Sequence, residues 1–297
     1  MRTELPDSIR EQVAYDAPDM PLYIHKAILS EYSPTLSAVC HWHDDVEFMY
    51  MCRGYMDYNV DGEIYHMREG DGIFVNSNHL HFGFSPDGSD SEFICILLTP
   101  ELLTAAVRIE RRYILPVTET ESWKAQVLKK DDPAHRMLLD LICKIYETYD
   151  AGRDGFELAL QSLFYQVWLE LYRKAPLGIE ADLADERDRL QLKQMLRFLH
   201  DSYDRRISAQ EIAETGHMSQ SKCFRLFQRY LGKTPMEVLT EYRLKVACEL
   251  LTGTQLSITE IAQQTGFSGS SYFTERFRQY YGKSPREYRN SRMSIES

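Results

Sequence analysis

Two short segments near the C-terminal end carry polar side chains whose types and spacing suit hydrogen bonding to DNA bases. Arginine pairs with guanine, glutamine pairs with adenine, and serine or threonine can contact a base or a phosphate. The first segment offers Gln220, Ser221, Lys222, Phe224 and Arg225. The second offers Ser270, Ser271, Thr274, Glu275 and Arg278. We expect both segments to contact DNA, and we expect Lys222 and Arg225 to give the first segment most of the base recognition.

Two of these residues are unusual next to DNA, and each leaves two interpretations open. Glu275 can accept a hydrogen bond from cytosine N4, or it can pair with Arg278 and lower the affinity for DNA. Phe224 can contact a thymine methyl group, or it can fold back onto its own domain.

A duplicated helical unit must position these side chains. Residues 207–235 and 258–285 repeat one pattern, in which Ile212 matches Ile261 and Phe227 matches Phe277. The helix-start signals are the capping boxes at Ser208 with Glu211 and at Ser257 with Glu260, followed by N-caps at Ser219 and Ser268. A short helix, a tight turn and a second helix form the helix-turn-helix pattern, whose second helix enters the DNA major groove. Two copies in register favour DNA binding over ordinary helix packing.

The turns and the connection between the copies fit the same interpretation. Gly216 and Gly266 supply permissive backbone in the two turns. The offset between the copies grows from 49 to 50 residues, so we expect one extra residue in the second helix of the second copy. A helix from Pro235 to about Leu251 would span about 24 Å. With the width of the flanking helix-turn-helix units added, the two second helices could reach groove segments about 34 Å apart.

Charge is divided unevenly along the chain of 297 residues, whose net charge is −11. Residues 187–297 contain 18 basic and 12 acidic residues, whereas residues 1–186 have a net charge of −17. A basic C-terminal part therefore carries the helix-turn-helix pattern, and the acidic remainder should stay off DNA.

Cysteine usage and hydropathy indicate a cytoplasmic protein. The six cysteines form no C-x-x-C pair and are expected to be buried and reduced. We expect no signal peptide and no membrane partner, because the N-terminus is polar and no run of 18 apolar residues occurs.

The segment from Leu190 to Arg292 resembles the DNA-binding domain of the AraC/XylS family of bacterial transcription regulators. The most diagnostic residues lie in the second copy, at Gly266-Phe267-Ser268 and in the stretch YGKSPREYR at 281–289. The resemblance implies base-facing positions at Ser221, Lys222, Phe224 and Arg225, and at Ser270, Ser271, Thr274 and Glu275. It also implies double-stranded promoter or operator DNA as a partner, with RNA polymerase as a further candidate. The sequence departs from the family at His217, where glycine is usual, and at Glu275, where a basic residue is frequent.

Residues 21–100 are predicted to form a β-barrel. The predicted strands are Val46–Arg53, Tyr55–Val60, Glu63–Met67, Gly72–Val75 and Glu92–Leu98. Asp61-Gly62 is a hairpin turn signal between two of them. Many short strands without intervening helices favour a sandwich or a barrel.

This region resembles the cupin barrel that usually serves as the sensor of AraC-type regulators. The residues that carry the resemblance are His41, His43, Glu47 and Gly54, in the spacing His-x-His-x3-Glu-x6-Gly, and His81 in a weaker second motif. All four cupin ligand positions are filled by metal-competent types, at His41, His43, Glu47 and His81, which suit Zn, Fe, Mn or Ni. Two interpretations remain open, a divalent metal or hydrogen bonds at the barrel mouth. We expect that no cofactor is required.

A small-molecule effector is expected to bind in this barrel. The candidate pocket residues are His41, Trp42, His43, Glu47, Tyr50, Tyr58 and His81. Aromatic faces beside polar groups suit a sugar or a related polar metabolite, although packing in the core explains any single aromatic residue equally well.

The remaining segments complete the expected organisation. Residues 1–20 form an N-terminal arm, 101–174 a helical connector, 175–186 a linker, and 187–292 a DNA-binding domain with helix-turn-helix units at about 207–230 and 257–281. Apolar stripes beginning at Met137 and at Leu158 suit packing on the barrel and pairing in a homodimer.

The sequence thus predicts a multidomain α+β protein, with an N-terminal cupin-like barrel and a C-terminal all-α domain. We expect a transcription regulator that is controlled by a small molecule and is not an enzyme. Two alternatives remain: a metal-dependent cupin enzyme with a regulatory DNA-binding tail, and an adaptor whose helical repeat binds a partner protein.

Overall fold

The computed structural model describes residues 10–11, 13–16, 20–176, 178 and 183–293, with only the backbone of residues 183 and 291–293. The chain divides into two compact units, residues 10–186 and a unit that begins at Arg187. The first is built on β-sheets with helices and the second is helical, so the expected α+β class is confirmed. Parts of the expected arm (1–9, 12 and 17–19) and linker (177 and 179–182) lie outside the described residues.

Eight strands form the framework of the described part of the N-terminal unit. They are β1 (Leu22–Ile28), β2 (Val46–Arg53), β3 (Tyr55–Val60), β4 (Glu63–Arg68), β5 (Gly72–Val75), β6 (His81–Phe84), β7 (Glu92–Leu98) and β8 (Ala125–Leu128). Strands β2, β3, β5 and β7 have the predicted ends, and β4 is one residue longer than predicted. The sequence pattern does not predict β1, β6 or β8. The last of these lies within the expected helical connector and pairs with β5.

The strands form two antiparallel sheets. One has the order β1-β7-β2-β5-β8 and the other the order β4-β3-β6. Asp61 and Gly62 connect β3 to β4 with φ of 48° and 84°, the two positive values that a type I′ hairpin requires. This turn sets the register in which Val60 faces Glu63.

Strand β2 shows why the five-stranded sheet is buried on both faces. Val46 and Phe48 belong to the cluster on the face that packs against helices. Met49 and Met51 belong to a separate cluster that β2 shares with the second sheet. Because side chains alternate along a strand, Glu47 points in the same direction as Met49, into the space between the sheets. A carboxylate buried there requires polar partners.

Helices cover one face of the larger sheet. They include a 3-10 turn (Pro100–Leu103), α2 (Val107–Ile109), a π turn (Glu110–Ile114), α3 (Leu115–Thr118), α4 (Arg136–Ala151) and α5 (Phe156–Lys174), whereas the short α1 (Leu29–Tyr32) follows β1 and contributes Leu29 to the cluster between the sheets. Helix α4 extends into the predicted turn at 150–155, and the chain reverses at Gly152 and Gly155, both with positive φ. Met137 and Leu158 open the predicted apolar stripes, but both are exposed.

Seven helices form the described part of the C-terminal unit. They are α6 (Leu183–Asp201), α7 (Ala209–Thr215), α8 (Gln220–Leu231), α9 (Pro235–Gly253), α10 (Ile258–Gln264), α11 (Ser270–Tyr281) and α12 (Pro285–Met293). Helix α6 begins inside the segment expected to be a linker. The predicted capping boxes at Ser208 and Ser257 are both formed. Among all helices in the described ranges, none is long and apolar enough to cross a membrane.

The extra residue of the second copy lies in its turn, which corrects the sequence-based expectation. Helices α8 and α11 both contain 12 residues, so the second helix is not longer. The N-cap of α8 is Ser219, whose side chain accepts from the Lys222 N–H. In the second copy Gly269, rather than Ser268, occupies the N-cap, and no side chain caps the helix.

The two turns also use different residues for their left-handed backbone. Gly266 has φ of +72°, as expected for a permissive glycine. In the first copy Gly216 has an ordinary φ of −82°, and His217 takes the left-handed conformation with φ of +51°. Gly216 therefore does not relieve the backbone at His217, which contradicts the expectation that it supplies the permissive residue of this turn.

Gly266 lies where the second turn contacts the loop that follows α6. The Arg243 side chain donates from Nε to the Tyr203 carbonyl oxygen at 2.8 Å and from Nη2 to the Arg205 carbonyl oxygen at 2.7 Å. The guanidinium also lies over the Phe267 ring, with its central carbon 5.9 Å from the ring centroid. Arg243 of α9 thereby joins the loop after α6 to the turn of the second copy.

Gly266→Ala should destabilise the C-terminal unit by more than about 2 kcal/mol. A Cβ at this position would lie 2.3 Å from the Tyr203 carbonyl oxygen and 2.8 Å from Arg243 Nη2. The left-handed backbone alone costs a non-glycine residue about 1–2 kcal/mol. Gly282→Ala is the matched control, since Gly282 has the same φ of +72° but nothing within 4 Å of the added Cβ. Urea denaturation, with hydrogen exchange in α11, should show a larger loss for Gly266→Ala, and equal losses would contradict this packing argument.

Candidate functional site

Four predicted site residues come together at one end of the space between the sheets. His41 and His81 are joined by a backbone bridge, His43 precedes β2, and Glu47 lies on β2. Each offers one ligand atom, and these atoms all lie within 4.8 Å of one another. His43, Glu47 and His81 are buried, whereas His41 is half-buried. The structure therefore gathers residues that are up to 40 positions apart in the sequence into one polar cluster.

The backbone fixes the direction in which the three imidazoles point. The Nδ1 atoms of His41, His43 and His81 bond to the carbonyl oxygens of Val39 (2.9 Å), Asp45 (3.0 Å) and His79 (2.8 Å). A carbonyl oxygen only accepts, so each Nδ1 carries the proton. In each neutral ring, Nε2 therefore carries no proton, and its lone pair can coordinate a metal ion.

The Nε2 atoms of His43 and His81 are buried without a hydrogen-bond partner. Their nearest charged neighbour is Glu47 Oε2, at 3.5 Å from His43 Nε2 and 3.3 Å from His81 Nε2. Tyr58 donates its hydroxyl proton to the other oxygen of Glu47. A lone pair that faces a carboxylate needs a proton or a cation between the two atoms. Three nitrogen donors and one oxygen donor fit a divalent transition metal at this place.

In the absence of a metal ion, a proton can lie between a histidine Nε2 atom and the Glu47 carboxylate, and the pKa shifts of the cluster show which groups favour it. Burial lowers the pKa of His41 to about 4. Burial also opposes the charged form of His43, but the nearby carboxylate of Glu47 outweighs it and raises the pKa of His43. Burial acts to raise the pKa of Glu47, yet the charges of His81 and His43 hold it well below its usual value. These shifts favour a protonated His43 beside an ionised Glu47 when no ion is bound.

The aromatic residues predicted for the pocket are divided between two places. The Tyr58 ring stacks on His81 with centroids 6.0 Å apart, so it lines the cluster. Trp42 is buried and its backbone pairs with the N-terminal segment. Tyr50 packs against the hydrophobic residues on the helix-covered face of the large sheet, so the structure does not bring it to the histidines. The alternation along β2 accounts for this, since Tyr50 follows Phe48 on the outward face.

Glu11 is a site residue that the sequence pattern does not reveal. Its Oε2 lies 3.2 Å from His41 Nε2, and its backbone N–H donates to the Trp42 carbonyl oxygen at 2.8 Å. Nothing in the sequence distinguishes this carboxylate from the other acidic residues near the N-terminus, because its position depends on how the segment folds back along residues 41–45.

The predicted DNA-contacting residues of the first copy lie on the exposed side of α8. Gln220, Ser221, Phe224 and Arg225 are exposed, opposite a buried face that contains Phe227. Lys222 differs from them. Its Nζ lies 2.7 Å from Asp188 Oδ1 and donates to Gln191 Oε1 at 3.2 Å, so its charge is already paired with α6.

In the second copy the predicted residues border one shallow groove between α10 and α11. The groove is lined by Ser270, Ser271, Thr274, Glu275 and Arg278, together with Ile258, Thr259 and Gln279. Phe273 and Phe277 form the buried side of the same helix. Both copies therefore present a polar helix face away from an apolar core, as a helix that enters a DNA groove requires.

Comparisons with known proteins match both units. The family described as "AraC-like ligand binding domain" matches residues 28–168, and the family described as "Helix-turn-helix domain" matches residues 212–291. The HTH-type transcriptional regulator YdeC of Bacillus subtilis (strain 168) is 26% identical over 95% of this chain and 96% of its own length.

Two further relatives regulate sugar operons, according to their names. The lactose operon transcription activator of Staphylococcus xylosus is 24% identical over 78% of this chain and 79% of its own. The melibiose operon regulatory protein of Escherichia coli (strain K12) is 23% identical over 86% of this chain and 85% of its own. Since the two family matches cover the ligand-binding and the helix-turn-helix units in turn, the chain belongs to the AraC family of transcription regulators.

Proposed function

We propose that the N-terminal unit binds a small polar effector at the histidine–glutamate cluster and that this binding changes the affinity of the C-terminal unit for a specific DNA sequence. The observation that carries the proposal is the buried polar cluster of His41, His43, Glu47 and His81 in a domain of the ligand-binding type. An effector can act only through a difference in affinity between two conformations of the chain.

A sugar or a related hydroxylated metabolite is the effector class that we propose. Carboxylate and imidazole groups can hydrogen-bond hydroxyls, and the Tyr58 ring beside His81 offers an aromatic face. The names of two relatives, which refer to lactose and melibiose operons, support this class for the present chain.

We propose further that His41, His43, Glu47 and His81 hold a divalent metal ion. The support is the set of Nδ1–carbonyl hydrogen bonds that leave every Nε2 as a lone pair, together with the unpartnered Nε2 atoms of His43 and His81. When bound, such an ion would supply a Lewis-acidic position for an effector oxygen. We propose a sensing role rather than an enzymatic one, because the named relatives are transcription regulators.

On DNA, α8 and α11 would each enter the major groove, with Arg225 as the main base-contacting residue of the first copy. Lys222 is assigned a smaller part, since its ammonium group is held by Asp188 and Gln191. A homodimer is the assembly that we propose, supported by the exposed apolar side chains of Met137, Leu158 and Leu169 on α4 and α5.

The regulatory function is tested by selecting DNA sequences with the full chain and measuring affinity by gel shift, with and without a panel of sugars. The expected result is salt-dependent, sequence-specific binding that at least one sugar changes severalfold. Binding to a partner protein with no affinity for DNA would support the adaptor alternative instead. Turnover of a small molecule that is lost in His41→Ala would support the enzyme alternative.

Arg225→Ala should weaken specific DNA binding by about 1–3 kcal/mol and relax the preference at one base pair, because a bidentate arginine contact is worth that much. Lys222→Ala is the comparison variant, and we expect it to change the base preference less, since the ammonium group is paired within the protein. Affinities for a set of single-base operator variants provide the measurement. Equal base preferences in the wild type and Arg225→Ala would remove Arg225 from the recognition surface.

The wild-type chain should bind one divalent ion per molecule, and His43→Ala and His81→Ala should each lose it. His66→Ala is the control, because this exposed histidine lies outside the cluster and pairs with Asp57. Metal content by mass spectrometry and affinity by titration calorimetry with Zn²⁺, Mn²⁺ and Ni²⁺ provide the readouts. Substoichiometric metal in the wild type, or equal affinity in His43→Ala, would leave hydrogen bonding as the role of the cluster.

A further inference from the structure

The segment before β1 lies along the residues that carry two of the histidines. We call its described residues, 10–11 and 13–16, the N-terminal strap. Arg10 forms a parallel backbone bridge with Trp42 and an ion pair with Asp44. The Glu11 N–H donates to the Trp42 carbonyl oxygen at 2.8 Å. The strap thereby runs beside the loop from His41 to Asp45.

The other end of the strap is fixed as well. The Tyr15 hydroxyl donates to the carboxylate of Asp45 at 2.9 and 3.0 Å. Asp16 pairs with His25 at 3.2 Å and accepts a hydrogen bond from the Tyr149 hydroxyl at 2.7 Å. Contacts on both sides of Glu11 hold its carboxylate against the cluster, so its position does not depend on a single flexible side chain.

The Glu11 carboxylate faces a nitrogen that is a lone pair in the neutral ring. Its Oε2 lies 3.2 Å from His41 Nε2, while the Nδ1–H of His41 donates to the Val39 carbonyl oxygen. Two acceptors at this distance repel unless a proton or a cation lies between them. Two ligand atoms bound to one ion by bonds of about 2.1 Å lie about 3.0 Å apart at a right angle and about 3.4 Å apart at the tetrahedral angle. The observed separation of 3.2 Å lies between these two values.

Charge and exposure favour a second carboxylate at this position. Three neutral imidazoles and Glu47 leave a divalent ion with one uncompensated positive charge in a buried site, and Glu11 would neutralise it. Glu11 is 30% exposed and His41 is 17% exposed, which places this pair on the solvent side of the buried His43, Glu47 and His81.

We propose that Glu11 is a further ligand of the metal ion, so that metal loading fastens the N-terminal strap over the histidine cluster. This inference rests on the metal site proposed above. An effector oxygen that binds the ion at this position must replace Glu11. Effector binding and strap attachment would therefore exclude each other at one coordination position.

The test compares wild type, Glu11→Gln and Asp44→Asn in two measurements on the full chain. The first is the affinity for Zn²⁺ and Ni²⁺ by titration calorimetry. The second is the rate of trypsin cleavage after Arg10, followed by mass spectrometry and expressed as the ratio of rates with and without metal. The ratio cancels any direct effect of residue 11 on trypsin. Circular dichroism verifies that each variant is folded.

Metal should slow cleavage after Arg10 in the wild type by about tenfold or more, and Glu11→Gln should lose this protection and bind metal about 10–100-fold more weakly. Asp44→Asn removes the ion pair of Arg10 without touching the cluster. It should be cleaved faster than wild type in the absence of metal, yet keep the metal affinity and the metal-dependent protection.

Three outcomes would overturn the proposal. Equal metal affinity in wild type and Glu11→Gln would show that Glu11 is not a ligand, while leaving the four-residue metal site intact. Faster cleavage in the presence of metal would show that the ion displaces the strap. A wild-type chain that binds no metal would overturn both this inference and the proposed metal site, whereas sequence-specific DNA binding would still be measured independently.

Discussion

Three hydrogen bonds from histidine Nδ1 atoms to backbone carbonyl oxygens fix the direction of the imidazole rings in the N-terminal unit. The acceptors belong to Val39, Asp45 and His79, which lie two residues from the histidines that they orient. Each ring is therefore positioned by its own local backbone, and the two sheets bring those backbone segments together. The result is a concentration of lone pairs around the buried carboxylate of Glu47, in a space that is otherwise lined by methionine, aliphatic and aromatic side chains. Glu47 is a charged residue on the inward face of β2, and its burial requires polar partners. The histidines of this site supply them.

The sequence predicted the parts of the fold whose signals are local. Strands β2, β3, β5 and β7 are bounded by turn residues, and the hairpin at Asp61-Gly62 requires positive φ at both positions. Strand β6 has only four residues and contains Gly83, and β8 is equally short, so neither shows a periodic pattern. Their existence depends on pairing with distant strands. Likewise Tyr50 and Tyr58 look alike in the sequence, but β2 and β3 present them to opposite sides of the large sheet.

The two helix-turn-helix copies also contain details that depend on distant contacts and that the local sequence therefore does not predict. Their cores share Ile212 with Ile261 and Phe227 with Phe277, yet the first turn places a histidine in the left-handed region and the second places a glycine there. Tertiary contacts explain the glycine in the second turn, because the Tyr203 carbonyl oxygen and the Arg243 side chain leave no room for a Cβ at Gly266. In the same way, the pairing of Lys222 with Asp188 could not be read from the repeat, because Asp188 lies on a helix outside it.

The additional residue in the second turn has a consequence for any attempt to exchange specificity between the copies. Helices α8 and α11 begin at Gln220 and Ser270, so their faces correspond at an offset of 50 residues. Arg225 then stands opposite Glu275 in the comparison, and Lys222 stands opposite Tyr272. A transplant designed on the offset of 49 that suits α7 and α10 would rotate every side chain by about 100° around the helix axis. Such a chimera would direct its intended base-contacting residues partly toward its own apolar core. The offset chosen for the alignment would therefore affect both the folding of the chimera and the DNA sequence that it recognises.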